Sequence, residues 1–104
     1  MLEVDVTTDN YPGETTWNVK SVCDGGSTVL SGGPYSIARS TNVGTACVPE
    51  GSYTFEIKDA YGDGICCSYG TGAYTVKYGG AQVSSGGDFG ISKADTFGVR
   101  SKCP

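Results

Sequence analysis

The chain has no histidine, a single tryptophan, a single methionine, and seven lysines and arginines against eleven aspartates and glutamates. Each shortage closes off a kind of chemistry. Without histidine there is no histidine-based catalytic triad and no histidine-ligated zinc. The basic residues are scattered and outnumbered, and the formal net charge is -4. Neither nucleic acid nor an anionic membrane surface is therefore the expected partner. No apolar run approaches the roughly twenty residues of a membrane span. There is no C-x-x-C pair to hold zinc and no N-x-S/T sequon to accept a glycan. No stretch of useful length shows helical periodicity.

What the chain has in quantity is glycine, 17 residues, and cysteine, five residues, in a length of 104. That length fits one domain, residues 1–104, with a core modest enough to need a covalent or metal staple. Five cysteines in so short a chain point to an oxidising compartment, and so to a secreted or cell-surface module of a larger protein. The first residues, Met1-Leu2-Glu3, read as an addition to the natural chain and are left out of the core. The odd cysteine count leaves one thiol over, and Cys103 is expected to be that one. Cys23 and Cys47 are the natural partners for Cys66 and Cys67, with a bridge expected from Cys47 to one of the pair. A bond between the neighbours Cys66 and Cys67 is the alternative.

Short alternating segments recur along the chain with turn residues between them. Glu3 to Thr7, Thr15 to Val22, Thr28 to Leu30, Tyr53 to Lys58, Ala73 to Tyr78 and Ala81 to Ser84 read as strands. Val43 to Val48 is ambiguous. The pattern predicts an all-β protein, an antiparallel β-sandwich of roughly eight short strands. The expected core is Trp17, Val19, Val29, Ile37, Val48, Tyr53, Phe55, Ile57, Tyr74, Val76, Val83, Phe89, Phe97 and Val99, with a further contact from Ile91.

The most unusual stretch is Asp59-Ala60-Tyr61-Gly62-Asp63-Gly64-Ile65-Cys66-Cys67-Ser68-Tyr69-Gly70, which joins the two best strands as the long loop of a central hairpin. Binding residues favour such loops, carried on a strand scaffold. Asp59 and Asp63 lie four apart across a glycine bend, and Asp9, Asn10 and Glu14 occupy a second turn-rich loop. If the strand entered at Thr15 neighbours the strand ending at Asp59, these loops meet at one end of the sandwich. Calcium takes several oxygen ligands from carboxylates and backbone carbonyls on a bent chain, so Ca2+ is the expected cofactor, held by Asp9, Glu14, Asp59 and Asp63. The spacing is not that of an EF-hand. Tyr11, Tyr61 and Tyr69 fall on the same loops, and a tyrosine offers a sugar ring a flat apolar face with a hydroxyl beside it. Catalysis is not expected: a carboxylate pair such as Asp59 and Asp63 could in principle hydrolyse a glycoside, but a domain this small rarely builds the cleft that reaction uses.

Thr8 to Trp17 (TDNYPGETTW), Tyr53 to Val76 (YTFEIKDAYGDGICCSYGTGAYTV), Gly86 to Gly90 and Thr96 to Gly98 together resemble a secreted β-domain. That domain is appended to extracellular proteases and other secreted enzymes of marine bacteria, and it occurs in diatom and other algal surface proteins. In some of those relatives a cysteine stands where Ser52 stands here. Tyr11-Pro12 followed by Trp17 is also similar to the start of CUB domains, which are jelly-roll-like sandwiches. That likeness implies calcium at Glu14, Asp59 and Asp63. The resemblance implies a non-catalytic domain appended to a larger secreted protein; with the loop carboxylates and tyrosines, the expected function is a calcium-dependent module that binds glycan or another cell-surface component. The alternative is a self-associating structural unit of an extracellular filament, sheath or flagellar hair.

Overall fold

The computed structural model describes residues 1–62, 64–67 and 70–103. Among them ten strands form: β1 (Leu2–Thr7), β2 (Thr15–Ser21), β3 (Ser27–Gly32), β4 (Thr41–Ala46), β5 (Ser52–Asp59), β6 (Cys66–Cys67), β7 (Gly70–Thr71), β8 (Ala73–Tyr78), β9 (Ala81–Gly86) and β10 (Ser92–Gly98). Eight of them make two four-stranded antiparallel sheets, ordered β4-β1-β8-β9 and β10-β5-β2-β3, and β6 pairs with β7 alone. The protein is an all-β sandwich.

Alternation in the sequence dictates which face is buried. Leu2, Val4 and Val6 of β1, Trp17 and Val19 of β2, Tyr53, Phe55 and Ile57 of β5, and Tyr74 and Val76 of β8 all point inward and are buried. Register aligns them: Val4 faces Val76 and Val6 faces Tyr74 in one sheet, while Trp17 faces Ile57 and Val19 faces Phe55 in the other. Aromatic rings then stitch the two sheets together. The Phe55 ring lies 5.2 Å from Tyr74 and 6.1 Å from Trp17. Nearer the other end, Tyr53 lies 5.6 Å from Tyr78 and 5.9 Å from Phe97. Such ring pairs add to the stabilisation from buried area.

Several expectations are corrected. Leu2 is fully buried, so the first residues belong to the core. Val4, Val6 and Ile65 join it too. Ile37, Ile91 and Val99 are exposed, because each lies outside the strands, where no alternation aims a side chain inward. Val29, Val48, Val83 and Phe89 pack against the core while half-buried. The central hairpin does not form: β5 and β8 lie in different sheets, so the segment between them crosses the end of the sandwich.

The cysteines pair differently from the expectation. Cys23 bonds Cys103 across a sequence separation of 80, Cys66 bonds Cys67, and Cys47 is free and exposed. Cys103 is thus not the odd thiol, and no bridge runs from Cys47 to the central loop. The reason is topological. Ala46 ends β4 opposite Leu2, whereas the central loop sits beyond Thr7 at the far end of β1. A six-residue strand, about 20 Å, separates the two ends, and a disulfide needs Cα atoms within about 7 Å. Gly51 has to be glycine to admit the Cys23–Cys103 bridge, since a Cβ there would lie 2.7 Å from Cys23 Sγ.

Closing a loop of this length restricts the unfolded chain by about 4 kcal/mol in the entropic account. Replacing both Cys23 and Cys103 with serine should therefore lower stability by roughly 3–5 kcal/mol, read from the urea midpoint. Alkylation of the native, non-reduced protein should modify Cys47 alone, and a non-reduced digest should join the Cys23 and Cys103 peptides. A bridged peptide containing Cys47 would overturn the assignment.

Candidate functional site

One end of the sandwich gathers the finish of β1, β5 and β9 with the start of β2, β8 and β10. Its centre is fixed by backbone. Asp59, the last residue of β5, faces Thr15, the first of β2. The Asp59 amide donates to the Ile91 carbonyl at 2.9 Å, and the Ala60 amide donates to the Glu14 carbonyl at 2.9 Å. Glu14 is placed by a 3-10 turn over Pro12–Glu14, opened by the fixed backbone angle of proline. The expected meeting of the two loops therefore occurs, and it follows from strand register.

Glu14 and Asp59 line a common surface pocket of about 510 Å³, together with Thr16, Lys58, Ala60 and Ile91. Asp59 is only 2% exposed. Asp9 is equally buried but is engaged differently. Its Oδ1 accepts the Tyr11 amide at 2.8 Å, and its backbone lies under Gly70, where a Cβ would come within 3.2 Å. That is the usual way an aspartate closes a turn on its own backbone. Among the described residues no three histidine, cysteine, aspartate or glutamate side chains gather as a metal group. Asp63 and Tyr69 lie outside the described residues. Tyr61 is 80% exposed and directly follows the pocket residue Ala60; Tyr11, 48% exposed, precedes the Pro12–Glu14 turn.

The crossing loop is anchored on both sides. Ile65 is fully buried, and its amide and that of Cys66 both donate to the Gly87 carbonyl, at 2.9 and 3.1 Å. Gly64 donates to Gly90 at 2.9 Å, and Gly72 donates to Ile65 at 2.8 Å. Gly72 admits no side chain, because a Cβ would collide with the carbonyls of Ile65 and Thr7. The disulfide pair thus lies in β6, paired with β7 and held to Gly87 just past β9, with Cys67 exposed and Cys66 half-buried. Ile65 was hidden from sequence reasoning by its glycine and cysteine neighbours. Thr16, Pro34, Lys58, Ala60 and Ile91 are pocket residues outside the expected site; the sequence signal for Ile91 was Gly90 just before it, which makes a turn with positive φ.

The segment between β3 and β4 closes the pocket side. Trp17 Nε1 donates to the Tyr35 hydroxyl at 2.5 Å, the Tyr35 amide donates to the Pro12 carbonyl at 3.1 Å, and Thr8 Oγ1 donates to the Ile37 carbonyl at 2.9 Å. Burial pushes the Tyr35 hydroxyl above the ordinary tyrosine range, with the Trp17 hydrogen bond opposing it. Burial does the same to Tyr53, reinforced by Tyr78.

No protein-family model matches this chain, and neither a curated protein nor a solved structure matches it significantly.

The raised tyrosine values give a pH dependence with a definite sign. A tyrosine in the unfolded chain ionises near pH ~10, while Tyr35 and Tyr53 keep their protons to higher pH when folded. Their contribution is complete below the unfolded value and is lost as pH rises through the folded values. The urea midpoint should fall as pH is raised from about 9 to about 11, and Tyr53→Phe should flatten that fall. An equally steep fall in Tyr53→Phe and Tyr35→Phe would place the titration elsewhere.

Proposed function

We propose that this chain is a non-catalytic extracellular module that binds glycan, with calcium, at the end of the sandwich built around Glu14 and Asp59. The observation that supports the reading most is the pocket. It is lined by Glu14, Asp59 and Lys58 together with the apolar residues Ile91, Ala60 and Pro34, with the exposed Tyr61 next in the chain. A sugar ring presents the same mixture, an apolar face rimmed by hydroxyls, and recognition of such ligands rests on apolar lining with a few placed polar groups. The pinned crossing loop orders this surface before any ligand arrives, which lowers the ordering cost of binding.

Glu14 and Asp59 are the described residues suited to calcium, since they are hard oxygen donors lining one pocket. Bound calcium would neutralise them and offer coordination positions to sugar hydroxyls. Two disulfides in a chain this small support an oxidising, extracellular setting. The likeness of the central motif to secreted β-domains of marine bacteria and algae supports the same setting. A second reading, a self-assembling extracellular unit, is favoured by the uncharged edge strand β4.

Calcium should raise the melting temperature of the oxidised protein. At a hundred times its dissociation constant it adds about 2.7 kcal/mol, and Asp59→Asn or Glu14→Gln should remove the shift. An unchanged melting temperature at millimolar calcium would remove the metal from the reading. On a glycan array, Tyr61→Ala should weaken binding by roughly 1–3 kcal/mol, the scale of one aromatic contact. Wild type that retains no glycan would overturn the function.

A further inference from the structure

We infer that β4 is an association strand that pairs with β4 of a second copy of this chain about a two-fold axis at Val43, joining the two β4-β1-β8-β9 sheets into one eight-stranded sheet. The inference deepens the assembly reading and is independent of the pocket, none of whose lining residues belongs to β4.

A sheet edge offers unpaired amides and carbonyls to any other strand, and proteins ordinarily block their edges with charge, proline, bulges or cover. The four edges here are treated unequally. β10 carries Lys93 and Asp95 on the edge strand itself. The pairing of β9 with β8 shifts register between Val76 and Lys77, and that of β3 with β2 shifts between Val19 and Lys20. β4 lies beside β3, the edge strand of the other sheet, and has none of the other devices. Thr41-Asn42-Val43-Gly44-Thr45-Ala46 contains no charge and no proline, and it pairs with β1 over six consecutive residues without a shift. Among the described residues, no backbone hydrogen bond runs from Thr41–Ala46 to anything but β1. The strand is also held in place. Gly44 lies over the Trp17 ring, where a Cβ would come within 3.1 Å, so the inner face of β4 is seated on the core.

The sequence of β4 specifies another copy as the occupant. A two-fold axis normal to the sheet preserves which face each residue shows, so paired residues must be an even number apart or identical. Centring on Val43 sets Val43 against Val43, Thr41 against Thr45 and Thr45 against Thr41 on the outer face. These are β-branched cross-strand pairs of the kind that stabilise antiparallel strands. On the inner face, Asn42 meets Gly44, which leaves room for its side chain. Val43 is 62% exposed in the single chain and becomes covered by its own symmetry mate. The chain carries a net charge of -4, yet this strip is neutral, so two copies meet there without repulsion between like charges on facing strands. Such an interface is isologous and closes at two copies.

In this register each Cys47 faces Arg39 of the partner copy, four residues from the axis, so the dimer does not depend on a disulfide between the two Cys47 thiols. Sedimentation of the oxidised protein from about 10 µM to about 1 mM should show one chain giving way to two. Cys47→Ser should associate like wild type. Val43→Lys, a change at an exposed position, should keep its melting temperature and associate about tenfold or more weakly, because it sets two ammonium groups against each other on the axis. In the Cys47→Ser background, Val43→Cys should close an intersubunit disulfide on mild oxidation, while Thr45→Cys should not. A single chain throughout the range, a dimer lost in Cys47→Ser, undiminished association of Val43→Lys, or crosslinking through Thr45→Cys in preference to Val43→Cys would each overturn the inference.

Discussion

Strand β5 admits one alignment with β2. Because side chains alternate faces, a slip of one residue would turn Tyr53, Phe55 and Ile57 out to solvent and bring Thr54, Glu56 and Lys58 into the core. The burial of three large side chains therefore holds the register. The register in turn sets Asp59 against Thr15, one residue from Glu14. The backbone positions of the carboxylates at the pocket are thus set by strand register and by hydrophobic packing some distance away. Phe55 extends the same constraint across the sandwich, since it touches Trp17 within its sheet and Tyr74 in the other. Trp17 then carries it outward to Tyr35 and to Gly44. The pocket side, the seat of β4 and the joint between the sheets all hang on that one strand pairing.

The all-β class and most of the strands were legible because period-two alternation is local: Tyr53 to Lys58 and Ala73 to Tyr78 show it within six residues. Ile65 and Leu2 were not legible, for different reasons. Ile65 stands between glycine and cysteine with no run to show alternation, whereas Leu2 opens the alternating run Leu2-Glu3-Val4-Asp5-Val6 and was lost only because the first three residues were set apart from the core. Ile37 and Ile91 failed in the opposite direction: an isoleucine in a loop has no pleat to aim it. The meeting of Glu14 with Asp59 was readable as a conditional, because β2 and β5 were both visible and only their adjacency was unknown. Which sheet β8 joins was not readable, since a long loop between two good strands is compatible with either a hairpin or a crossing. The cysteine pairing failed with it. Once the central segment crosses the sandwich end, Cys66 and Cys67 are carried a strand length away from Cys47, while Cys23 and Cys103 are left beside Gly51 at the opposite end.

Glycine does two separate jobs here, and composition alone does not distinguish them. At Gly79 and Gly80 it permits the left-handed turn joining β8 to β9, with open space around both residues. At Gly44, Gly51 and Gly72 the need is for the absent side chain, because tryptophan, sulfur or carbonyl atoms occupy the space a Cβ would take. The second group lies at the points where the sandwich is closed most tightly, and it marks the strands whose positions are least adjustable.

The bridge between Cys23 and Cys103 also decides how the domain carries load. Residues beyond Gly98 leave the edge strand β10, and an edge strand pulled from its end unzips one hydrogen bond after another. The covalent link diverts tension on Cys103 to Cys23, two residues past the end of β2. That strand is interior, flanked by β3 and β5, and tension along it loads both ladders in shear. Many bonds must then fail together, so a force applied at residue 103 meets the strongest part of the sheet and bypasses its weakest.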